Sequence, residues 1–315
     1  MNNEPMNLAK LAEHFGDDDK ARTFLEKMRW PDGAVCPHCG VIGEAYRLEP
    51  KANSKTHVRK GVWKCGACRE QFTVTVGTIF EDSHIPLHKW LLAIHLLCAS
   101  KKGMSAHQLH RMLGVTYKSA WFMAHRIRYA MKQEPLSSKL QGTVEVDETY
   151  VGGKVKGRGH YEARKNKAPV VALIERNGRA RSFQFDHVTA ANLRPILKEH
   201  IQESADLMTD DSGLYRGMRK NFNSHHVVKH ANGEYSRRVG EKRVHTNTVE
   251  GFFSILKRGI IGVYHHVGKQ HLHRYLSEFD FRYNSREACD SERAVLAVQG
   301  SAGKRLTYRD SQLCH

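Results

Sequence analysis

The feature that most constrains the fold of this chain is a pair of CxxC motifs in its N-terminal part. The four cysteines are Cys36, Cys39, Cys65 and Cys68. Two such motifs can place four thiolates around one ion, which is the usual ligand set of a structural zinc site. Strand-like sequences at residues 44–48 and 71–76 can frame that site. The pattern predicts a zinc ribbon with one structural Zn²⁺, and a redox pair or two separate thiol pairs are the alternatives.

The charge balance indicates a polyanionic partner. The 315 residues include 50 Lys and Arg against 33 Asp and Glu, which gives a formal net charge of +17. Such a surplus favours nucleic acid over a membrane as the partner. The chain has no apolar run of membrane-spanning length, and residues 1–4 do not resemble the start of a signal peptide. We therefore expect a cytoplasmic, DNA-binding protein of two or three domains.

Residues 84–134 have a helical pattern. Ser105 can cap a short helix, Gly114 lies in the turn that follows, and Thr116 can cap a second helix. A short helix, a turn with glycine and a basic second helix are typical of a helix-turn-helix. The basic residues that we assign to DNA on exposed faces of the second helix are Lys118, Arg126 and Arg128. A helical linker with a solvated basic face is the alternative.

The chain then changes to an α/β pattern. Residues 143–151 alternate and are rich in β-branched residues, so they predict a strand, and this strand carries Asp147. Two further strands are joined by an Asn-Gly turn at Asn177. Residues 190–201 predict a helix, and residues 205–209 a buried strand that ends at Asp210. These elements predict layers of helices on a sheet.

Three carboxylates on separate elements suit a site for divalent cations. Asp147 shares a strand face with Glu145, and burying two carboxylates without a cation is costly. Asp210 ends another strand, and Glu250 lies on a later helix. Carboxylates are the preferred ligands of Mg²⁺, and two such ions can promote in-line displacement at a phosphodiester. We predict Asp147, Asp210 and Glu250 as ligands.

The stretch around Glu250 allows two interpretations. In a helix, Asn247, Glu250 and Lys257 lie on one side, since they are separated by three and seven residues. A carboxylate followed two turns later by a lysine suits a metal site next to a DNA phosphate. Alternatively, Asn247 caps the helix, Glu250 reaches back to it as in a capping box, and Gly259 ends the helix.

Two further basic segments are assigned to DNA. One is a glycine-bearing loop after the first strand, and the other follows the helix of Glu250 and is rich in histidine and tyrosine. Such segments suit phosphate contacts and base stacking. The residues that we assign to DNA in them are Lys154, Lys156, Arg158, Lys257, Arg258 and His265.

Taken together, these motifs resemble the zinc-ribbon, DDE-type insertion-sequence transposases that are called ISXO-like. The matching segments are Trp30–Gly33, Cys36–Cys39, Val146–Lys154, Thr209–Asp210, His245–Lys257, Gly262–His265 and Tyr275–Arg286. The resemblance implies an RNase H-like mixed-sheet catalytic domain, with two Mg²⁺ or Mn²⁺ ions held by the three predicted acids. It places Lys257 at the seventh position after the glutamate. Some members of the group have Asn as the third ligand, so Asn247 is an alternative to Glu250.

The implied function is that of the transposase of a bacterial insertion sequence. Such an enzyme binds the terminal inverted repeats, cuts DNA strands there and joins them to target DNA, as a homo-oligomer that is at least a dimer. The predicted domains are a helix and zinc ribbon, a helix-turn-helix-like region, the catalytic domain and a polar tail, over residues 1–80, 81–138, 139–300 and 301–315. The alternatives are an RNase H-like nuclease or resolvase without strand transfer, and a zinc-ribbon regulator with an inactive catalytic domain.

Overall fold

The computed structural model describes residues 13, 15–49, 58–132, 138–152, 167–307 and 309. Among these, the residues up to 132 and those from 287 onward form one unit, and residues 138–286 form a second. The predicted catalytic domain extends to residue 300, but residues 287–300 belong to the first unit. The reason is helix α8 (Asp290–Gln299), which packs against helix α2 (Leu87–Ala99). Within the described ranges, no helix is both long enough and apolar enough to cross a membrane.

The predicted zinc ribbon follows helix α1 (Asp18–Arg29). Its strands β1 (Ala45–Arg47), β2 (Trp63–Cys65) and β3 (Gln71–Phe72) form an antiparallel sheet in that order. The predicted strand over residues 71–76 is therefore too long. The guanidinium group of Arg29 donates to the carbonyl groups of Val74 and Val76, so these carbonyl groups bond to a side chain instead of a neighbouring strand.

The predicted helical region of the first unit is present with its predicted caps. Helix α3 (Ala106–Leu113) begins after Ser105, whose hydroxyl accepts a hydrogen bond from the backbone N–H of Gln108. Gly114 then adopts a left-handed conformation with a φ of 59°, which glycine tolerates at little cost. Helix α4 (Tyr117–Met131) is capped in the same way by Thr116.

The exposed positions predicted for Arg126 and Arg128 on α4 are wrong. Their exposed fractions are 5% and 2%, whereas Lys118 is exposed. Arg126 donates to the carbonyl oxygens of Leu306, Ile79 and Glu81 at 2.9, 2.7 and 2.8 Å. Its donors therefore bind segments of its own unit, and neither arginine has the exposed position on which the predicted DNA contact depends.

The second unit is built on a five-stranded mixed sheet, which confirms the predicted α/β class. Its strands are β4 (Thr143–Val151), β5 (Ala168–Glu175), β6 (Ala180–Gln184), β7 (Asp206–Asp210) and β8 (Ser224–Val228), in the order β6-β5-β4-β7-β8. Strands β4, β5 and β6 pair antiparallel, whereas β7 is parallel to both β4 and β8. Asn177, at the predicted hairpin turn between β5 and β6, has a φ of 58°.

Helices cover both faces of this sheet, because its central strands carry apolar side chains on both sides. Val144 and Val146 of β4 pack in one core with helix α5 (Ala190–His200). Val170 and Ala172 of β5 pack in the other core with helices α6 (Asn247–Gly259) and α7 (Lys269–Asn284). A hairpin of β9 (Arg237–Val239) and β10 (Lys242–Val244) leads into α6. The sheet thus brings α6 onto the face of β4 that carries Asp147.

Helix α6 does not end as the capping interpretation predicts. Gly259 has helical φ and ψ angles of −65° and −48°, and the chain continues into a π-helical turn over Ile260–Tyr264. Asn247 is the first helical residue, so it is not the cap; Thr246 precedes it. In the described part of the chain, the side chain of Thr246 makes no capping bond to the helix amides.

Candidate functional site

The four cysteines of the ribbon form one cluster. Their sulfur atoms all lie within 4.8 Å of one another, and the 3.6 Å pairs join Cys36 to Cys68 and Cys39 to Cys65. A tetrahedral zinc ion with Zn–S bonds of about 2.3 Å separates its sulfur ligands by about 3.8 Å. Because these close pairs join different CxxC motifs, the arrangement fits one shared zinc site better than two redox pairs.

Backbone donors prepare one of these thiols for metal binding. The N–H groups of Cys68 and Ala67 hydrogen-bond to the sulfur of Cys65 and lower the pKa of that thiol to about 7. A thiolate is the form that binds zinc, so N–H groups directed at the sulfur favour the ligand state. The donor set therefore fits the structural Zn²⁺ that the sequence predicts.

A second cluster consists of three carboxylates at the opening between β4 and β7. Oxygen atoms of Asp147, Glu148 and Asp210 lie within 4.8 Å of one another. The parallel pairing of these strands runs as far as Glu145 and Met208. Asp147 and Glu148 follow on the part of β4 beyond this pairing, and Asp210 ends β7 beside them. Two of the three predicted ligands are thus brought together.

The electrostatics of this cluster favour a bound cation. Burial, together with the negative charges of Glu148, Asp210 and Glu250, raises the pKa of Asp147 to about 7. Burial also raises the pKa values of Glu148 and Asp210. Carboxyl groups that resist ionisation together ionise readily next to a divalent cation, which cancels their repulsion. The donor set fits a hard ion such as Mg²⁺ or Mn²⁺.

Glu148 is a member of this cluster that the sequence analysis did not assign. The hydroxyl group of Tyr215 donates to Oε2 of Glu148 at 2.7 Å and holds the carboxylate in place. Strict alternation along β4 would direct Glu148 away from Asp147. The signal that could have found it is its position next to Asp147, at the end of a parallel pairing, where neighbouring side chains can converge.

Glu250 lies beside the cluster, on the first turn of α6. Its Oε1 atom accepts a hydrogen bond from the hydroxyl group of Thr246 at 2.8 Å, and Nε2 of His230 lies 3.5 Å away. Within the described ranges, the cluster of carboxylate oxygens within 4.8 Å of one another does not include Glu250. The negative charge of Glu250 nevertheless raises the pKa of Asp147. Asn247 is exposed, and its backbone N–H faces Nδ1 of His245 at 3.3 Å.

The other residues assigned to DNA are distributed as follows. Lys257 and Arg258 are exposed in the last turn of α6. His265 is exposed after the π-helical turn, with a φ of 60° and its Nδ1 atom 3.1 Å from the carbonyl oxygen of Ile261. The basic loop residues Lys154, Lys156 and Arg158 lie outside the described residues.

Comparison with known proteins gives matches to both units. Residues 139–284 match the model of the ISXO2-like transposase domain, and residues 16–71 match that of the transposase zinc-ribbon domain. A protein of Halobacterium salinarum is 28% identical over 291 residues, which cover 85% of this chain and 91% of that protein. It is described as an uncharacterized protein in transposable element ISH50. The matched segments contain the cysteine cluster and all of the predicted acidic ligands.

Proposed function

Because the chain belongs to the ISXO2-like transposases with a zinc ribbon, we propose that it recombines the DNA of an insertion sequence. It binds the terminal inverted repeats, cuts DNA strands there and joins the cut ends to target DNA. The second unit acts as an RNase H-like catalytic domain. The observation that carries this proposal is the convergence of Asp147 and Asp210 from two strands, with the pKa of Asp147 raised to about 7.

The acidic cluster is the proposed site for two Mg²⁺ or Mn²⁺ ions. Asp147 and Asp210 serve as ligands from the two strands, Glu148 adds a third carboxylate, and Glu250 approaches from α6. When bound, such ions activate an attacking oxygen and stabilise the leaving one. The carboxylates of this chain orient that site, and Tyr215 holds one of them through its hydroxyl group.

Basic residues around the site are the proposed contacts to DNA. Lys257 is exposed two turns after Glu250 on the same helix, which suits a contact to a phosphate near the cleaved bond. Arg258 and His265 extend this basic surface, and Lys154, Lys156 and Arg158 are proposed to add to it from their loop. In the first unit, Lys118 is proposed to contact the terminal repeats through the helix-turn-helix-like region, next to the zinc ribbon. Paired ends call for at least a dimer.

The test is an in vitro reaction with labelled element ends, supercoiled target DNA and Mg²⁺. Replacing Asp147 or Asp210 by Asn should abolish cutting and joining while end binding is retained. Asp211→Asn is the matched control, because Asp211 is the exposed neighbour of Asp210 and should stay active. Cutting by either of the first two variants would refute the assignment. Cutting without joining by the wild type would instead identify a nuclease or resolvase.

The same reaction decides the third ligand. Loss of activity in Glu250→Gln but not in Asn247→Ala would assign that role to Glu250, whose charge already acts on Asp147. The reverse result would move the role to Asn247. Wild-type binding of the ends without any metal-dependent cutting would favour the regulator with an inactive catalytic domain.

A further inference from the structure

Glu145 is a buried acid on β4 that lies outside the acidic cluster. Its side chain is fully buried. Its Oε2 atom accepts hydrogen bonds from the backbone N–H groups of Thr248 and Val249 at 2.8 and 3.1 Å. Its Oε1 atom accepts from the hydroxyl group of Thr248 at 2.9 Å and from Nε of Arg176 at 2.6 Å, and Nδ1 of His245 lies 3.2 Å away. The carboxylate is therefore held by several donors.

These contacts make Glu145 the cap of helix α6, although it comes from a strand 103 positions earlier. Thr248 and Val249 lie in the first turn, where backbone N–H groups have no partner within the helix. A cap is normally the residue just before the helix. Here a carboxylate from the sheet takes that place, and its negative charge also suits the positive end of the helix dipole.

Arg176 completes the arrangement from the turn between β5 and β6. Besides Glu145, its guanidinium group donates to the carbonyl oxygens of Arg243 and His245, at 2.6 and 2.9 Å. Both of these carbonyl groups belong to the segment that leads into α6. Glu145 and Arg176, which we call the Glu145–Arg176 clamp, therefore fix both the entry and the first turn of the helix to β4.

The clamp joins β4, which supplies Asp147, to α6, which supplies Glu250. Asp147 is two residues beyond Glu145 on the same face of β4, and Glu250 is two residues beyond Thr248 on α6. We propose that the Glu145–Arg176 clamp is a positioning device that sets Glu250 relative to Asp147 and thereby the affinity of the site for divalent cations. This inference rests on the proposed function. Glu145 and Arg176 are thus proposed as positioning residues that act through Glu250.

The energetics of buried ion pairs support a positioning role. The side chain of Glu145 is fully buried, whereas that of Arg176 is 19% exposed, so the carboxylate is the partner that loses its hydration and is costly to leave without donors. Keeping the donors of Arg176, Thr248 and Val249 at this carboxylate restricts where α6 begins. Groups that hold metal ligands in place typically change metal affinity or activity about 10–100-fold when they are removed.

The experiment uses the full chain with its zinc ribbon loaded. Mn²⁺ binding to the free protein is measured by electron paramagnetic resonance, and DNA cutting is measured as kcat and KM over a range of Mg²⁺ concentrations. Glu145→Gln should weaken Mn²⁺ binding about 10–100-fold. It should also lower kcat at fixed Mg²⁺, with little change in the KM for DNA ends, and excess Mn²⁺ should restore part of the activity.

Asp280→Asn is the matched control. The carboxylate of Asp280 on α7 also accepts hydrogen bonds from a backbone N–H and a hydroxyl group, those of Ser182, at 2.9 and 2.8 Å. This variant should keep the Mn²⁺ affinity of the wild type. The inference is overturned if Glu145→Gln binds Mn²⁺ like the wild type, or if Asp280→Asn weakens binding equally.

A second variant covers the case in which Glu145→Gln fails to fold. Arg176→Lys keeps the positive charge, but a lysine cannot bridge Glu145 and both carbonyl groups at once. It should weaken Mn²⁺ binding in the same direction and by less, and unchanged binding would equally overturn the inference. A wild type that binds Mn²⁺ but cuts no DNA would refute the proposed function, whereas the Mn²⁺ titrations would still judge the clamp.

Discussion

Replacing Asp147 by Asn should stabilise the metal-free protein at pH 8, although it removes the proposed activity. Burial, with the charges of nearby acids, raises the pKa of Asp147 from its ordinary 3.8 to about 7. A group with a raised pKa contributes stability that is fully present below the pKa of the unfolded chain and is lost as the pH rises through the folded value. The metal-free wild type should therefore lose stability between about pH 4 and pH 7.

The size of this effect follows from the two pKa values. Their difference corresponds to about 4 kcal/mol, at about 1.4 kcal/mol for a tenfold change in an equilibrium constant. This is an upper limit for the substitution, because Glu148 and Asp210 also have raised pKa values, and a proton taken up by either of them in the wild type relieves part of the repulsion on Asp147. We expect about 2–4 kcal/mol, which would raise the melting temperature by several degrees in a unit of this size.

The assay is thermal unfolding followed by circular dichroism at pH 5 and pH 8, in buffer that contains Zn²⁺ but no Mg²⁺. Asp147→Asn should unfold at a higher temperature than the wild type, by a larger margin at pH 8 than at pH 5, because the wild type loses only part of its stability by pH 5. Adding Mg²⁺ should stabilise the wild type more than the variant, because ligand binding stabilises the folded state. Asp211→Asn, at an exposed position, should behave like the wild type.

Either of two results would refute this reasoning. One is an Asp147→Asn variant that is less stable than the wild type at pH 8 without Mg²⁺. The other is an equal loss of stability between pH 5 and pH 8 in both proteins. Each result would mean that the surroundings of Asp147 do not disfavour its charge. The raised pKa of Asp147 would then no longer support a bound cation at the cluster.

Two further predictions concern the first unit. Zinc removal, or Cys36→Ser, should unfold the ribbon and abolish end binding, because structural zinc supplies folding free energy. The assays are zinc release and a gel shift with the element ends. End binding by a zinc-free chain would contradict the prediction. Lys118→Ala should weaken DNA binding and reduce the slope of log affinity against log salt by about 1. Arg126→Met should leave that slope unchanged, but lower the melting temperature because it leaves buried carbonyl groups unpaired, at about 1–3 kcal/mol each. A salt slope that Arg126→Met reduces as much as Lys118→Ala does would show that Arg126 also contacts DNA.

Local chemistry made much of this fold predictable. The side chains of Ser105 and Thr116 cap the helices that they were expected to cap, because a cap depends on its own next three residues. Asn177 forms its turn with a positive φ, which asparagine tolerates well. The cysteine cluster was equally predictable, since each CxxC motif is set by local sequence and the two motifs only had to come together at one site.

What could not be predicted depends on residues that are distant in sequence. Arg126 lies on a helix whose periodicity leaves it outside the apolar stripe, but Leu306, 180 positions later, supplies one of its acceptors. Glu145 was expected to face inward with Asp147, and no local pattern indicates that it caps a helix 103 positions away. Glu148 joins the acidic cluster only because the pairing of β4 with β7 does not extend to it.

The hydrogen bond from Arg126 to the carbonyl oxygen of Leu306 also affects the order in which the chain can fold during synthesis. The segment that closes the first unit follows Arg126 by 180 positions. At about 5–20 residues per second, the ribosome takes roughly 9–36 s to make it. The strands and helices of the second unit are all synthesised within that interval. The second unit can therefore fold while the first unit is still incomplete, and a chain released early would carry a finished acidic cluster together with an unfinished first unit.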